Sequence, residues 1–206
     1  MPNVVRVAVL VSGGGSNLQA ILDAQEAGAL PDIQVALVLS SKMGVMAIER
    51  AHRHKIDSTV VERSWFSDDA AFQTAILKEL VNARIDVVCL AGYLKKLGPD
   101  IIQTFQGRIL NIHPALLPKY GGPGMYGHFV HEAVLAAGEK ESGCTVHVVD
   151  EEFDHGPVLA QARVPVLPAD TPESLAARVL EEEHRLYPLT LKEFCRQWMR
   201  SEANHD

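Results

Sequence analysis

Apolar residues recur along this chain in short dense blocks, separated by stretches in which they return every three or four positions. Val4–Val11 (VVRVAVLV) and Ile33–Ser40 (IQVALVLS) are nearly continuous, β-branched runs, the pattern of strands buried on both faces. Ile85–Ala91 (IDVVCLA) is a third, with shorter runs at Ser58–Val61 and Arg108–Ile112. Between them, Leu18–Ala27 puts Leu18, Ile21 and Leu22 on one helical face, with Gly28 as the stop. Val45 to His54 reads as a short helix, Asp68 or Asp69 caps one running to Val81, and Gly98-Pro99-Asp100 starts another. Such alternation predicts βαβ crossovers, hence an α/β fold with a doubly wound, mostly parallel sheet. The last third differs. It predicts a loop at Gly121-Gly122-Pro123-Gly124, a helix over His128–Ala137 and strands over Thr145–Val149 and Val158–Val164. Two closing helices follow, Pro172–Tyr187 and Pro188–Met199, with Pro188 at a helix start or a kink. The residues from Ser201 form a polar tail.

Composition narrows the function classes. A chain of 206 residues with 47% apolar and 22% charged residues buries one good core. Its net charge of −7 argues against a nucleic-acid wrapper, which needs a basic face to displace counterions. No stretch approaches the roughly 20 apolar residues of a membrane span, and Met1–Ser12 lacks a secretory pattern. Cys89, Cys144 and Cys195 stand alone, without a CxxC, so neither a disulfide framework nor a zinc knuckle is expected. The expectation is a reduced, cytoplasmic, soluble protein that binds no nucleic acid and no membrane.

The first strand stops at Ser12-Gly13-Gly14-Gly15-Ser16-Asn17. In a doubly wound sheet, ligands bind beyond the carboxyl ends of the strands. Glycines there let backbone N–H groups approach an anion, and the following helix offers its positive end. Ser16 and Asn17 add a hydroxyl and an amide donor; the blander alternative is a tight turn in which one of them caps the helix. The dinucleotide pattern fails because Leu18 stands where its third glycine belongs. Strand two ends in Ser40-Ser41-Lys42, without the acidic residue that holds an adenosine ribose. No Gly-Lys-Ser/Thr follows either, so a small phosphomonoester is favoured over a nucleotide triphosphate.

A second cluster begins at Asn111-Ile112-His113-Pro114, where Asn111 and His113 share one face of an extended backbone. Downstream lies the acidic turn Asp150-Glu151-Glu152-Phe153-Asp154-His155-Gly156-Pro157. An amide donor, an imidazole and a carboxylate are the parts needed for acyl transfer to an amine. The first two stabilise a tetrahedral oxyanion while the carboxylate orients the imidazole and raises its pKa. The remaining histidines read more plainly: His52 and His54 as solvated, His147 as a satisfied imidazole in a strand, His128 and His131 as either site-lining or surface. No convincing metal-ligand set emerges.

Taken together, these segments resemble the formyl-tetrahydrofolate transferases, over about residues 4 to 195. The resemblance rests on the glycine loop through Ile21, on Leu90-Ala91-Gly92-Tyr93-Leu94, and on Asn111 through Tyr120. It continues in Asp154-His155-Gly156-Pro157 and Glu183-His184-Arg185-Leu186-Tyr187-Pro188. The central motif is shared across the family; the glycine loop and the 183–188 segment match its glycinamide-ribonucleotide branch. The resemblance implies formyl transfer from 10-formyltetrahydrofolate, a co-substrate, to the amine of 5-phosphoribosylglycinamide in de novo purine synthesis. No tightly bound cofactor and no metal are implied. It assigns catalysis to Asn111, His113 and Asp154, and ribotide binding to Gly13, Gly14, Gly15, Ser16, Asn17 and Glu183. Folate binding falls to Leu90, Gly92, Leu94, Lys95, Lys96, Leu97 and Asn111. It also implies one domain over residues 1–200, with a phosphate-binding half at about 1–110 overlapping a folate-binding, catalytic half at about 85–200, then a tail at 201–206. Oligomeric state is left open, a homodimer being one option.

Two departures stand out. The family often has a basic residue near the start of the 68–81 helix, where this chain has Asp69, so a contact there to the folate's glutamate tail is not expected and Lys95 or Lys96 substitutes. The loop from Gly121 to Gly127 resembles a longer family variant, leaving open which of Tyr126, His128 and His131 faces the site. The chain begins directly at the first strand, which argues against the hydrolase branch with its extra N-terminal domain. The methionyl-tRNA branch would require a further RNA-binding domain and a basic surface. From a different class, a non-catalytic phosphate- or folate-binding module remains the alternative.

Overall fold

Alternate residues of the first strand belong to opposite sides of the molecule, and this organises everything around it. In β1 (Val5–Val11), Val5, Val7, Val9 and Val11 join one core while Ala8 and Leu10 join the other. The computed structural model describes residues 4–203. Seven strands form one sheet in the order β3-β2-β1-β4-β5-β6-β7, with β2 at Ile33–Ser40, β3 at Ser58–Val60, β4 at Val87–Leu90 and β5 at Ile109–His113. These five run parallel; β6 (Glu141–Val148) and β7 (Val158–Pro165) are antiparallel additions.

Helices cover both faces, as a sheet with two apolar sides requires. On one side lie α1 (Ser16–Glu26), α2 (Met46–Arg53), α5 (His128–Ala136) and α6 (Pro172–Glu202), contributing Leu18, Ile21, Ala47, Val130, Leu175 and Tyr187. On the other, α3 (Asp69–Asn82) and α4 (Pro99–Thr104) contribute Phe72, Ile76, Leu80 and Ile101. Asp68 caps α3, accepting the Ala71 N–H at 2.8 Å. The three cysteines are free and buried. Among the described residues, no helix is long and apolar enough to cross a membrane.

The sequence reading differs in places. The two closing helices are one, α6, running through Pro188. A mid-helix proline costs about 3 kcal/mol. Burial of Tyr187, Leu191 and Cys195 on the same face stabilises by about 1.5–3 kcal/mol for a large apolar side chain, so the packed face carries the helix through. Thr171 and Ser174 form a reciprocal capping box at the start of α6, and Arg178 grips Asp170 through two hydrogen bonds of 2.7 and 2.8 Å. The helix also absorbs Ser201 and Glu202 from the expected tail; residues 204–206 lie outside the described range. Strand β6 begins at Glu141, four residues before the predicted Thr145, because Glu141 to Cys144 pair with Pro165 to Ala162 of β7; a Cβ on Gly143 would meet the Ala162 carbonyl at 1.9 Å. A single 3-10 turn at Arg63–Trp65 carried no sequence signal.

Candidate active site

The strand order reverses between β1 and β4, so the loops leaving their carboxyl ends diverge and open a crevice. Ser12, at the end of β1, ties three of these loops together. Its hydroxyl accepts the Leu94 N–H at 2.9 Å and shares a 2.7 Å hydrogen bond with the Ser41 hydroxyl. The glycine loop then turns into α1 with Gly15 as N-cap at φ 70°, a left-handed conformation that favours glycine. A Cβ on Gly15 would also meet the Ala47 Cβ at 2.7 Å, so α2 packs directly beneath the turn. No side chain caps α1, which removes the simple capping reading of Ser16 and Asn17. Asn17 instead donates from Nδ2 to Glu183 Oε2 at 2.6 Å across 166 residues, leaving its buried Oδ1 without a partner. Burial pushes the Glu183 carboxyl up, against the lowering effect of the Asn17 hydrogen bond.

Strand β5 aims Asn111 and His113 the same way, and β6 sets His147 directly opposite Asn111. His147 donates from Nδ1 to the Val148 carbonyl at 3.0 Å, which turns its Nε2 toward Asn111 and Asp154. Asn111 Nδ2 donates to that nitrogen at 3.1 Å and makes a longer, 3.5 Å contact with Asp154 Oδ1. The long contact is one that an incoming oxygen can displace. His113 donates from Nε2 to the Tyr120 carbonyl at 2.8 Å, turning Nδ1 toward Asp154 Oδ2 at 3.5 Å. The Gly122 N–H donates to the same Oδ2 at 2.9 Å. Both residues that touch His113 hold left-handed backbones, Tyr120 at φ 57° and Asp154 at φ 55°, a strained choice for any side chain but tolerable for aspartate. Gly156 completes the turn: a Cβ there would meet the Val148 carbonyl at 1.9 Å.

The electrostatics correct one expectation. Burial lowers the His113 pKa more than the Asp154 charge and the Tyr120 carbonyl raise it, so the resting imidazole is neutral rather than cationic. For Asp154, burial acts upward but is outweighed by the His147 and His113 side chains and the Gly122 N–H, and the carboxyl lies below its ordinary range.

These groups open on one cavity of about 630 Å³, within the usual span for small-molecule sites. Its walls include Asn17 and Glu183, then Asn111, His113, His147 and Asp154, and also Leu90, Gly92, Leu94, Lys95, Lys96 and Leu97. Of the glycine loop only Asn17 lines it; Gly13, Gly14, Gly15 and Ser16 sit beyond, at the start of α1. Lys96 lies over the Phe153 ring at 5.3 Å, which brings the 94–97 segment against the acidic turn. Asp69 faces Arg63 at 3.4 Å and takes no part in the wall.

His128 and His131 both line the cavity, His131 buried with an unpartnered Nδ1. His54, expected in solvent, is largely covered and pairs with Glu26 at 2.7 Å, while His52 is exposed. The sequence reading missed His147 as part of the site: only its register opposite Asn111 distinguishes it from a core histidine. Among the described residues, no group of three His, Cys, Asp or Glu side chains is placed to hold a metal ion.

An amide, an imidazole and a carboxylate around one cavity suit acyl-group chemistry, and comparison with known proteins says which kind. Residues 5–191 match the formyl transferase family, and the chain belongs to it. It is 41% identical over 199 residues to the phosphoribosylglycinamide formyltransferase of Haemophilus influenzae, covering 97% of this chain and 91% of that one. It is 44% identical over 187 residues to the trifunctional purine biosynthetic protein adenosine-3 of Drosophila melanogaster, covering 90% of this chain but only 14% of that longer protein. Glycinamide ribonucleotide transformylase 1 from Symbiobacterium toebii superposes with a TM-score of 0.90 at 39% identity, covering 96% of this chain and 90% of that one.

Proposed function

We infer that the protein transfers the formyl group of 10-formyltetrahydrofolate to the amine of 5-phosphoribosylglycinamide, yielding the N-formyl ribotide and tetrahydrofolate for purine synthesis. One observation carries the reading: the Asn17–Glu183 pair and the Asn111–His113–Asp154 cluster open on the same cavity, whose walls also include the apolar Leu90, Leu94 and Leu97. The family membership and the relatives' activities point the same way.

In this reading the ribotide phosphate sits on the N–H groups of Gly13 to Asn17, at the positive end of α1. Glu183, already strained as a carboxylate, receives the substrate amine and helps it lose its proton. The folate lies along Leu90, Gly92, Leu94 and Leu97, with Lys95 and Lys96 offered to its acidic tail. The neutral amine attacks the formyl carbon, and Asn111 gives an N–H to the developing oxyanion in place of its long contact with Asp154. Attack makes the amine nitrogen cationic again, and the second proton that it then sheds is the one that the folate nitrogen gains. Asp154 accepts it and His113, neutral at rest, relays it as the carbon–nitrogen bond to the folate breaks.

The test measures loss of 10-formyltetrahydrofolate with and without ribotide, together with the mass of the ribotide product. Loss that needs the ribotide and adds one formyl group supports the reading. Equal loss in its absence would indicate a hydrolase, and no loss at all a binding module.

A further inference from the structure

The glycine loop has a full account of its carbonyls. Gly13 O accepts the Ala47 N–H at 3.4 Å, Gly14 O accepts the Arg50 Nε–H at 2.8 Å, and Gly15 O accepts the Gln19 N–H at 2.9 Å. In a trans peptide the N–H points opposite its C=O. Each pinned carbonyl therefore turns the next N–H, of Gly14, Gly15 and Ser16, away from the protein body. Among the described residues none of these three N–H groups has an acceptor. The middle clamp comes from a side chain, and that side chain is itself unusual. Arg50 is half-buried; it donates from one terminal nitrogen to Gln19 Oε1 at 2.9 Å and approaches Met46 Sδ with the other at 3.7 Å, and no carboxylate pairs with it among the described residues. Its charge stands uncompensated beside the positive end of α1, an arrangement that only an arriving anion neutralises.

We propose that Arg50 is a positioning residue for the phosphate subsite: its Nε–H fixes the Gly14 carbonyl so that the Gly15 N–H faces the ligand, and its unpaired charge selects a phosphomonoester dianion. This rests on the phosphate reading of the loop. Sequence gives little sign of it, since Arg50 lies 35 residues beyond Gly15 on the back of α2.

The experiment compares wild type with Arg50→Gln, Arg50→Lys and Arg53→Gln, the last making the same charge change at an exposed position of α2 that, among the described residues, makes no hydrogen bond to the loop. Inorganic phosphate, at constant ionic strength, is expected to raise the melting temperature of wild type and Arg53→Gln, and to protect Arg50→Gln far less. The KM for ribotide should rise roughly tenfold to a hundredfold in Arg50→Gln, as for a lost charge-assisted hydrogen bond, with kcat and the folate KM within about threefold. Arg50→Lys keeps the charge without the Nε clamp. It should bind ribotide more weakly than wild type, yet still tighten as pH rises through about 6, the second ionisation of a phosphomonoester. That pH dependence should flatten in Arg50→Gln, which a merely structural role would not produce. Should Arg50→Gln fail to fold, Arg50→Lys alone decides: wild-type ribotide affinity there overturns the proposal. Phosphate protection and ribotide KM unchanged in a folded Arg50→Gln overturn it as well, leaving the phosphate reading intact. A wild type that phosphate does not protect, with ribotide KM indifferent to Ser16→Ala, overturns both.

Discussion

The glycine loop and the centre of the cavity offer a ligand different parts of the chain. At the glycine loop the polar groups left without an acceptor among the described residues are main-chain N–H donors, next to carbonyls that are tied down behind them. At the centre the polar groups are side chains, Asn111, His113, His147 and Asp154, drawn from two strands and a turn and linked to one another by contacts of 3.1 to 3.5 Å. Main-chain donors do not titrate, and no single side-chain deletion removes them. The side-chain cluster depends on protonation state and on every member's rotamer. The phosphate end should therefore lose affinity in small steps, and the central cluster should lose rate in large ones.

The sharpest way to break this contrast is Asn111→Ala. Loss of a transition-state donor should lower kcat on the order of 10²–10³-fold while both KM values stay within a few-fold. An effect confined to KM would move Asn111 to the binding side of the comparison. Next in size is Ser16→Ala. The Ser16 hydroxyl has no hydrogen bond within the described residues and Gly15 is the cap, so the melting temperature should hold. Ribotide affinity should fall roughly tenfold to a hundredfold, and a drop in stability with unchanged affinity would contradict the assignment. Tyr187→Phe is smaller and purely structural. The buried hydroxyl bridges the Leu90 and Leu110 carbonyls at 3.1 and 3.0 Å, and its removal should cost about 1–3 kcal/mol in urea unfolding.

The smallest effect is a titration. His113 should titrate by NMR below the ordinary histidine value, and Asp154→Asn, by removing a charge that raises it, should move it lower still. The linked stability follows in sign. The unfolded chain takes up this proton near about 6.5 and the folded one only at lower pH. The contribution is therefore intact above that value and is lost as pH falls through the folded pKa. A His113 titrating above the ordinary value in wild type would restore the cationic resting state and reverse that sign.

This contrast also explains what the sequence made legible. Three successive glycines after a buried β-branched strand announce a main-chain site, because little else requires them, and the strand runs locate the sheet for the same reason of burial on both faces. Asn111 and His113 show themselves by being two apart. Their meeting with Asp154 has no local signal; it was expected through resemblance and then located by the turn at Gly156. His147 and the Tyr120 carbonyl were hidden, one because a histidine among apolar strand residues looks like core, the other because a carbonyl has no letter in the sequence. Pro188 misled for a related reason. Its local cost is visible in the chain, whereas the buried face that outweighs it appears only once α6 lies across the sheet.

That helix has a consequence for the order in which the protein is made. The strands β1 to β5 and the glycine loop are complete by residue 113, yet Glu183 and the Tyr187 hydroxyl that braces β4 against β5 arrive more than 65 residues later. A nascent chain emerging at about 5–20 residues per second thus carries an open, apolar cleft for several seconds before it carries a site. Ribotide offered to ribosome-bound chains stalled before Thr171 should find no Glu183 to meet its amine. The Asn17–Glu183 pair and the brace of β4 against β5 are thus completed together, by the final helix.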